Sequence, residues 1–264
     1  MSARTLLLGM LLLAPLSASA QDALPVVMQF TTPPTQKDYY KAGWVRVPNG
    51  ADFIDVKGKG FGYNAVGLWL GVHGGGTSKW SWDGQAGGVF GGGSARIANR
   101  YENADCDYFM AQTTVGRQLY LSHSALVVGY AGLAWNSGLF EWTGSDGVSA
   151  KRFQVTSRAV ATPVGVFANF GREYQVIPSL AVARVWSANT SVLRGNGTDT
   201  FSSSAKIKPY FTETPGVEIG TAKSGVYLGL FVTLTPALEG QPGSQSWLLR
   251  FTWALKAHTA GTKS

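Results

Sequence analysis

The sequence predicts an all-β fold, a closed antiparallel up-and-down transmembrane β-barrel of about eight to twelve strands, with ten the best count. Three observations carry this expectation. Apolar residues alternate with small or polar ones, an export-type segment opens the chain, and short joins alternate with long ones. The alternation is clearest near the C-terminus. There Trp247, Leu249, Phe251, Trp253 and Leu255 fall on every second residue, with Leu248, Arg250, Thr252 and Ala254 between them. A period of two puts the two sets on opposite faces of a strand. In a soluble sheet the apolar face would lie on a core. In a closed membrane barrel it would lie on lipid, with Arg250 in the lumen.

Residues 1–20 read as a secretory signal: Arg4, an apolar run over 6–16, and Ser17-Ala18-Ser19-Ala20. Cleavage is expected after Ala20, so that the mature chain begins at Gln21. The apolar run of about eleven residues is too short to cross a bilayer as a helix, and no later segment approaches the twenty that a helical span needs. Hydrophobic residues make up 45% and charged ones only 14%, with 34 glycines. Soluble domains average about a quarter charged residues, so a barrel with an apolar exterior fits better. Cys106 is the single cysteine, which excludes a disulfide scaffold. The net charge is +7, without the Lys/Arg cluster or RNA-binding motif that a nucleic-acid partner would need.

Taken in order, residues 21–41 hold Pro25, Pro33 and Pro34 and form an exposed leader before a barrel spanning 42–257. Residues 42–47 are a weak strand. Asn49-Gly50 and Lys57-Gly58-Lys59-Gly60 mark 49–60 as a loop. Residues 61–73 are a clear strand, with Val66, Leu68, Leu70 and Val72 opposite Ala65, Gly67, Trp69, Gly71 and His73. Gly74-Gly75-Gly76 makes a turn. Residues 79–98 form a glycine-diluted strand, in which inward glycine makes room for bulky neighbours. Residues 99–107, with Glu102, Asp105 and Asp107, read as a solvated polar loop.

Residues 108–114 and 118–135 form a hairpin around Gly116-Arg117, followed by a polar stretch over 136–150. Residues 152–170 and 176–186 are separated by so short a join that they must be antiparallel neighbours. Residues 187–204 are polar, and 206–220, with Pro209 and Pro215, form an irregular strand. Residues 225–235 are regular again, placing Val226, Leu228, Leu230, Val232 and Leu234 opposite Gly225, Tyr227, Gly229, Phe231 and Thr233. A loop over 237–245 leads to the last strand, and 258–264 are a tail. Joins near 74, 116, 172 and 222 are short, and those between them longer. Such sorting puts short turns at one end of a barrel and long loops at the other.

With the Ala18-Ser19-Ala20 signal, the dyad strands over 226–234 and 247–255 and the alternating joins, the chain resembles bacterial outer-membrane β-barrel proteins in the style of small OmpA-like or OmpW-like barrels. The resemblance is architectural and covers most of the mature chain. It implies an outer-membrane location, outer-membrane lipids and the assembly machinery as partners, and no cofactor. Barrels of this type commonly end on an aromatic residue, whereas here residues 256–264 follow Leu255. Lumen positions are then Trp69, Glu218, Tyr227, Phe231 and Arg250. Lipid-facing positions are Leu68, Leu70, Leu228, Leu230, Trp247, Leu249, Phe251, Trp253 and Leu255.

Chemistry is sparse. Ser122-His123-Ser124 is the one triplet to weigh for a lipid-modifying enzyme. On a strand His123 points away from both serines, too far to serve as their base, and reads as a wall or interface residue. His73, His258 and Cys106 are dispersed, with no metal-ligand spacing. Gly91-Gly92-Gly93 lacks the Lys-Ser/Thr of a phosphate loop. The expected function is non-enzymatic: an envelope-structural barrel or a narrow porin-like passage for small solutes. Alternatives are an outer-membrane lipid-modifying enzyme and a soluble exported β-sandwich that binds a ligand.

Overall fold

The computed structural model describes residues 34–35, 43–58, 61–76, 79–97, 100–145, 150–196, 199–237 and 243–255. The expected signal segment and tail lie outside them. The strands are β1 Gly43–Gly58, β2 Phe61–Gly76, β3 Trp80–Ile97, β4 Arg100–Leu121, β5 Ala125–Ser145, β6 Ala150–Phe170, β7 Tyr174–Asn196, β8 Asp199–Ile207, β9 Tyr210–Thr221, β10 Val226–Thr235 and β11 Ser244–Leu255. Neighbours pair antiparallel, and β1 pairs with β11, so that the sheet closes on itself. Among the described residues there is one closed sheet and no second sheet packed on it; the exposed apolar faces point away from the lumen.

β8 and β9 share one place in the ring. Ala188 of β7 lies opposite Ile207, and Val185 opposite Tyr210. Lys208 and Pro209 interrupt a single strand there, because Pro209 has no N–H to give the ladder. The barrel therefore has ten strand positions, and 206–220 is the irregular one.

The start of β1, the end of β11 and the β2–β3, β4–β5, β6–β7 and β9–β10 joins define the turn end. The turn expected at Gly116-Arg117 is not there: both residues lie within β4, and the chain reverses over 122–124. Serine chemistry decides the place, since Ser122 Oγ accepts the Ala125 N–H at 3.0 Å. His123 is thus an exposed turn residue and not a wall residue. Its carbonyl accepts Arg172 Nε at 3.1 Å, tying two adjacent turns together. Gly171 (φ 97°) and Gly225 (φ 69°) supply the left-handed conformations that two of these turns need.

At the opposite, distal end, the stretches 49–60, 99–107, 136–150 and 187–204 are strand over nearly all their described length. β4 to β7 run to 22, 21, 21 and 23 residues, about twice what crosses a bilayer. What reads as long loops is paired strand extending past the apolar zone, where no outward face has to be apolar.

Outward aromatics mark both borders of that zone. Trp80, Trp82, Tyr120, Phe170 and Tyr174 are exposed near the turn end, while Phe53, Phe90, Phe109, Trp135, Trp186, Phe211 and Trp247 are exposed further along their strands. From Trp80 to Phe90 there are ten residues of about 3.3 Å rise; at a tilt of about 40° they cover about 25 Å, the height of the apolar band of a membrane barrel. Between the borders most outward residues are aliphatic, among them Leu70, Val115, Leu133, Val164, Leu180 and Ile219, with Thr113, Arg184 and Glu213 as polar exceptions. Trp186 carries the Arg184 guanidinium 3.9 Å from its ring centre and donates its indole N–H to Thr162 Oγ1, a polar anchorage suited to an interface.

Candidate functional site

Inward positions hold the polar and the largest buried side chains together. Glu218, Gly229, Arg250, Asp52 and Gly67 are successive cross-strand partners on β9, β10, β11, β1 and β2. A period of two brings all of them to the lumen. Arg250 and Asp52 have no exposed side-chain surface. Arg250 Nε meets Asp52 Oδ1 at 2.9 Å and its Nη2 meets Oδ2 at 2.9 Å. This two-point pairing is the arrangement that makes a desolvated guanidinium tolerable. Trp69 Nε1 donates to the same Oδ1 at 3.1 Å, and Arg250 stacks 4.9 Å from the Trp69 ring and 5.7 Å from the Phe231 ring. Glu218 stands in the same layer, one strand beyond Gly229.

Glycine permits this density. A Cβ on Gly229 would lie 2.6 Å from Phe231 Cε2 and 2.8 Å from Glu218 Cγ. On Gly216 it would lie 2.0 Å from Phe231 Cδ1, on Gly220 2.3 Å from Tyr227 Cδ1, and on Gly50 2.5 Å from Trp69 Cζ2. Phe231, Tyr227 and Trp69 thus each lie against a glycine of an adjacent strand. Towards the turn end Tyr227 donates its hydroxyl to Gln175 at 2.8 Å. His73, buried, meets the Trp44 ring edge-on at 4.6 Å. Distal to the charged belt, Thr214 and Thr233 hydroxyls lie 3.1 Å apart. Across the wall, Gln85, Met110, Gln112, Ala134 and Asn136 enclose only about 10 Å³, room for no more than about one water.

Trp69, Glu218, Tyr227, Phe231 and Arg250 are all buried inside the barrel; Trp69, Glu218, Phe231 and Arg250 share this layer, and Tyr227 lies towards the turn end. Leu68, Leu70, Leu228, Leu230, Trp247, Leu249 and Phe251 are exposed on the outside. Trp253 is half-buried on the same outer face, and the Leu255 side chain lies outside the described ones. Asp52 is the lumen residue that sequence reading misses, because Asn49-Gly50 mimics a turn. Its signal is present nonetheless: Asp52, Ile54 and Val56 alternate with exposed Phe53. Among the described residues no group of three His, Cys, Asp or Glu could hold a metal ion. Of the leader expected to be exposed over 21–41, only Pro34 and Thr35 are described, and both are buried. The Pro34 carbonyl accepts Asn169 Nδ2 at 3.1 Å.

No protein-family model matches the chain, and no curated protein does. Solved structures do. The translocator domain of the autotransporter NalP from Neisseria meningitidis aligns with a TM-score of 0.52 at 10% identity, over 95% of this chain and 96% of that one. The outer membrane protease OmpT from Escherichia coli aligns with a TM-score of 0.50 at 7% identity, over 80% and 94%. At such identities the likeness is one of fold alone: the chain is built as bacterial outer-membrane β-barrels are.

Proposed function

We propose that this protein is a non-enzymatic outer-membrane barrel whose lumen is closed at rest by its own side chains, serving the envelope as a structural element and not as an open pore. The observation that carries the reading is the Asp52–Arg250 pair, fully buried at the layer where Trp69, Phe231 and Glu218 also converge. An interior of about ten strands is little wider than its side chains, and bulky rings laid on glycines use that width. Placement in lipid rests on the aliphatic outer band between two aromatic borders. Export with cleavage after Ala20, insertion by the outer-membrane assembly machinery and contact with outer-membrane lipids follow from that placement. The lipid-enzyme alternative finds little support at Ser122-His123-Ser124, since Ser122 Oγ is committed to its own turn. The test is single-channel recording of the refolded protein in planar bilayers, with heat-dependent gel migration as the check of folding. Silent bilayers with folded protein are expected; a stable open-channel current from the unmodified chain would overturn the reading.

A further inference from the structure

The turn-end mouth of the lumen holds a second, separate feature. Asn169 is the penultimate residue of β6, points inward and has no exposed surface. Its amide reaches 135 residues back along the chain to donate to the Pro34 carbonyl at 3.1 Å. Thr35 beside it is 3% exposed. A desolvated amide N–H needs an acceptor, and the leader supplies one. Pro34 suits that task chemically. Proline has no N–H that would itself need a partner in the mouth, and its fixed φ holds the chain extended. The inward wall at this end carries buried Gln175, Ser81 and Thr114 beside buried Leu126, Phe167 and Ile177, so both polar and apolar groups face whatever seats there.

We propose that the turn-end mouth is a docking site for the chain's own Pro34–Thr35 segment, latched by Asn169. This contact is separate from the Asp52–Arg250 belt and does not depend on it. The occupant is intramolecular, so its effective concentration is high and a single latch hydrogen bond has leverage on how long it stays seated.

Thiol labelling in the folded, detergent-solubilised protein tests this. In a Cys106→Ser background, Thr35→Cys is treated with a polar maleimide and compared with Ser124→Cys in the exposed turn. A seated leader makes Thr35→Cys react at least about tenfold more slowly, in proportion to how seldom the segment opens. Asn169→Ala, or Asn169→Asp, which turns an acceptor towards the Pro34 carbonyl, raises the Thr35→Cys rate severalfold while heat-dependent migration stays that of a folded barrel. Thr35→Cys reacting as fast as Ser124→Cys would overturn the docking, and unchanged protection in both folded Asn169 variants would overturn the latch. Neither readout involves conductance, so its failure is separable from failure of the closed-lumen reading.

Discussion

Asp52 and Arg250 stand 198 residues apart and face each other across the seam where the first strand meets the last, joined by two 2.9 Å contacts in a site without solvent. The pair therefore ties closure of the barrel to the filling of its lumen. Removing one partner leaves a buried charge unmatched, which costs about 3–5 kcal/mol, whereas an apolar pair of similar volume is neutral or stabilising. Asp52→Ala and Arg250→Met are each expected to lower unfolding free energy by about that amount in denaturant titrations of the barrel in lipid vesicles, and Asp52→Leu/Arg250→Met to recover most of it. Two single variants within about 1 kcal/mol of the parent would mean that the pair is not desolvated.

Phe231 and Gly216 provide a steric counterpart. Gly216→Ala would put a methyl 2.0 Å from Phe231 Cδ1, and overpacking of this kind costs about 1–3 kcal/mol. Phe231→Leu by itself costs stability by leaving space, but should restore Gly216→Ala towards the parent. Additive losses in the double variant, measured by the same titrations, would show that the ring does not lie on the glycine.

How much of this could be read in advance follows from where lipid imposes its demand. Along 65–73, 225–235 and 247–253 the outward face has to be apolar at every second residue, so side-chain direction is visible residue by residue. Distally the demand ends. Over 99–107, 136–150 and 187–204 the described residues pair in backbone ladders, and their polar sequence looks like that of loops. Gly50 misleads for another reason: it is small because the Trp69 ring lies against it, not because the chain turns there. Gly116 is likewise an inward residue of β4. The two contacts that matter most, Asp52 with Arg250 and Pro34 with Asn169, join residues 198 and 135 apart, and no local pattern announces a partner at such range.

The charge balance of the lumen predicts what an opened variant would pass. Asp52 pairs with Arg250 and Glu218 stands in the same layer, so Arg250→Ala both removes bulk and leaves the Asp52 carboxylate without its guanidinium. Where that variant, or Arg250→Ala/Phe231→Ala, conducts in planar bilayers, reversal potentials in a salt gradient are expected to favour K⁺ over Cl⁻, as for pores lined by acidic rings. Preference for Cl⁻ would show that the current runs elsewhere than past these carboxyl groups.

Whether the outer surface truly meets lipid is decided by depth. Leu70 lies opposite Ala86, midway between the Trp80 and Phe90 borders of β3, and its side chain is exposed. Asp107 is also outward, on β4, but beyond the border at Phe109. A charge at the bilayer midplane costs about 2–4 kcal/mol and falls to nearly nothing at the interface. Leu70→Arg is therefore expected to destabilise the barrel in vesicles by that amount, and Asp107→Arg by less than about 1 kcal/mol. A soluble barrel reverses the logic, since an exposed arginine in water costs little anywhere. Equal, small effects at both positions would remove the membrane from the account and leave the aromatic borders unexplained, whereas a steep difference would fix the bilayer between them.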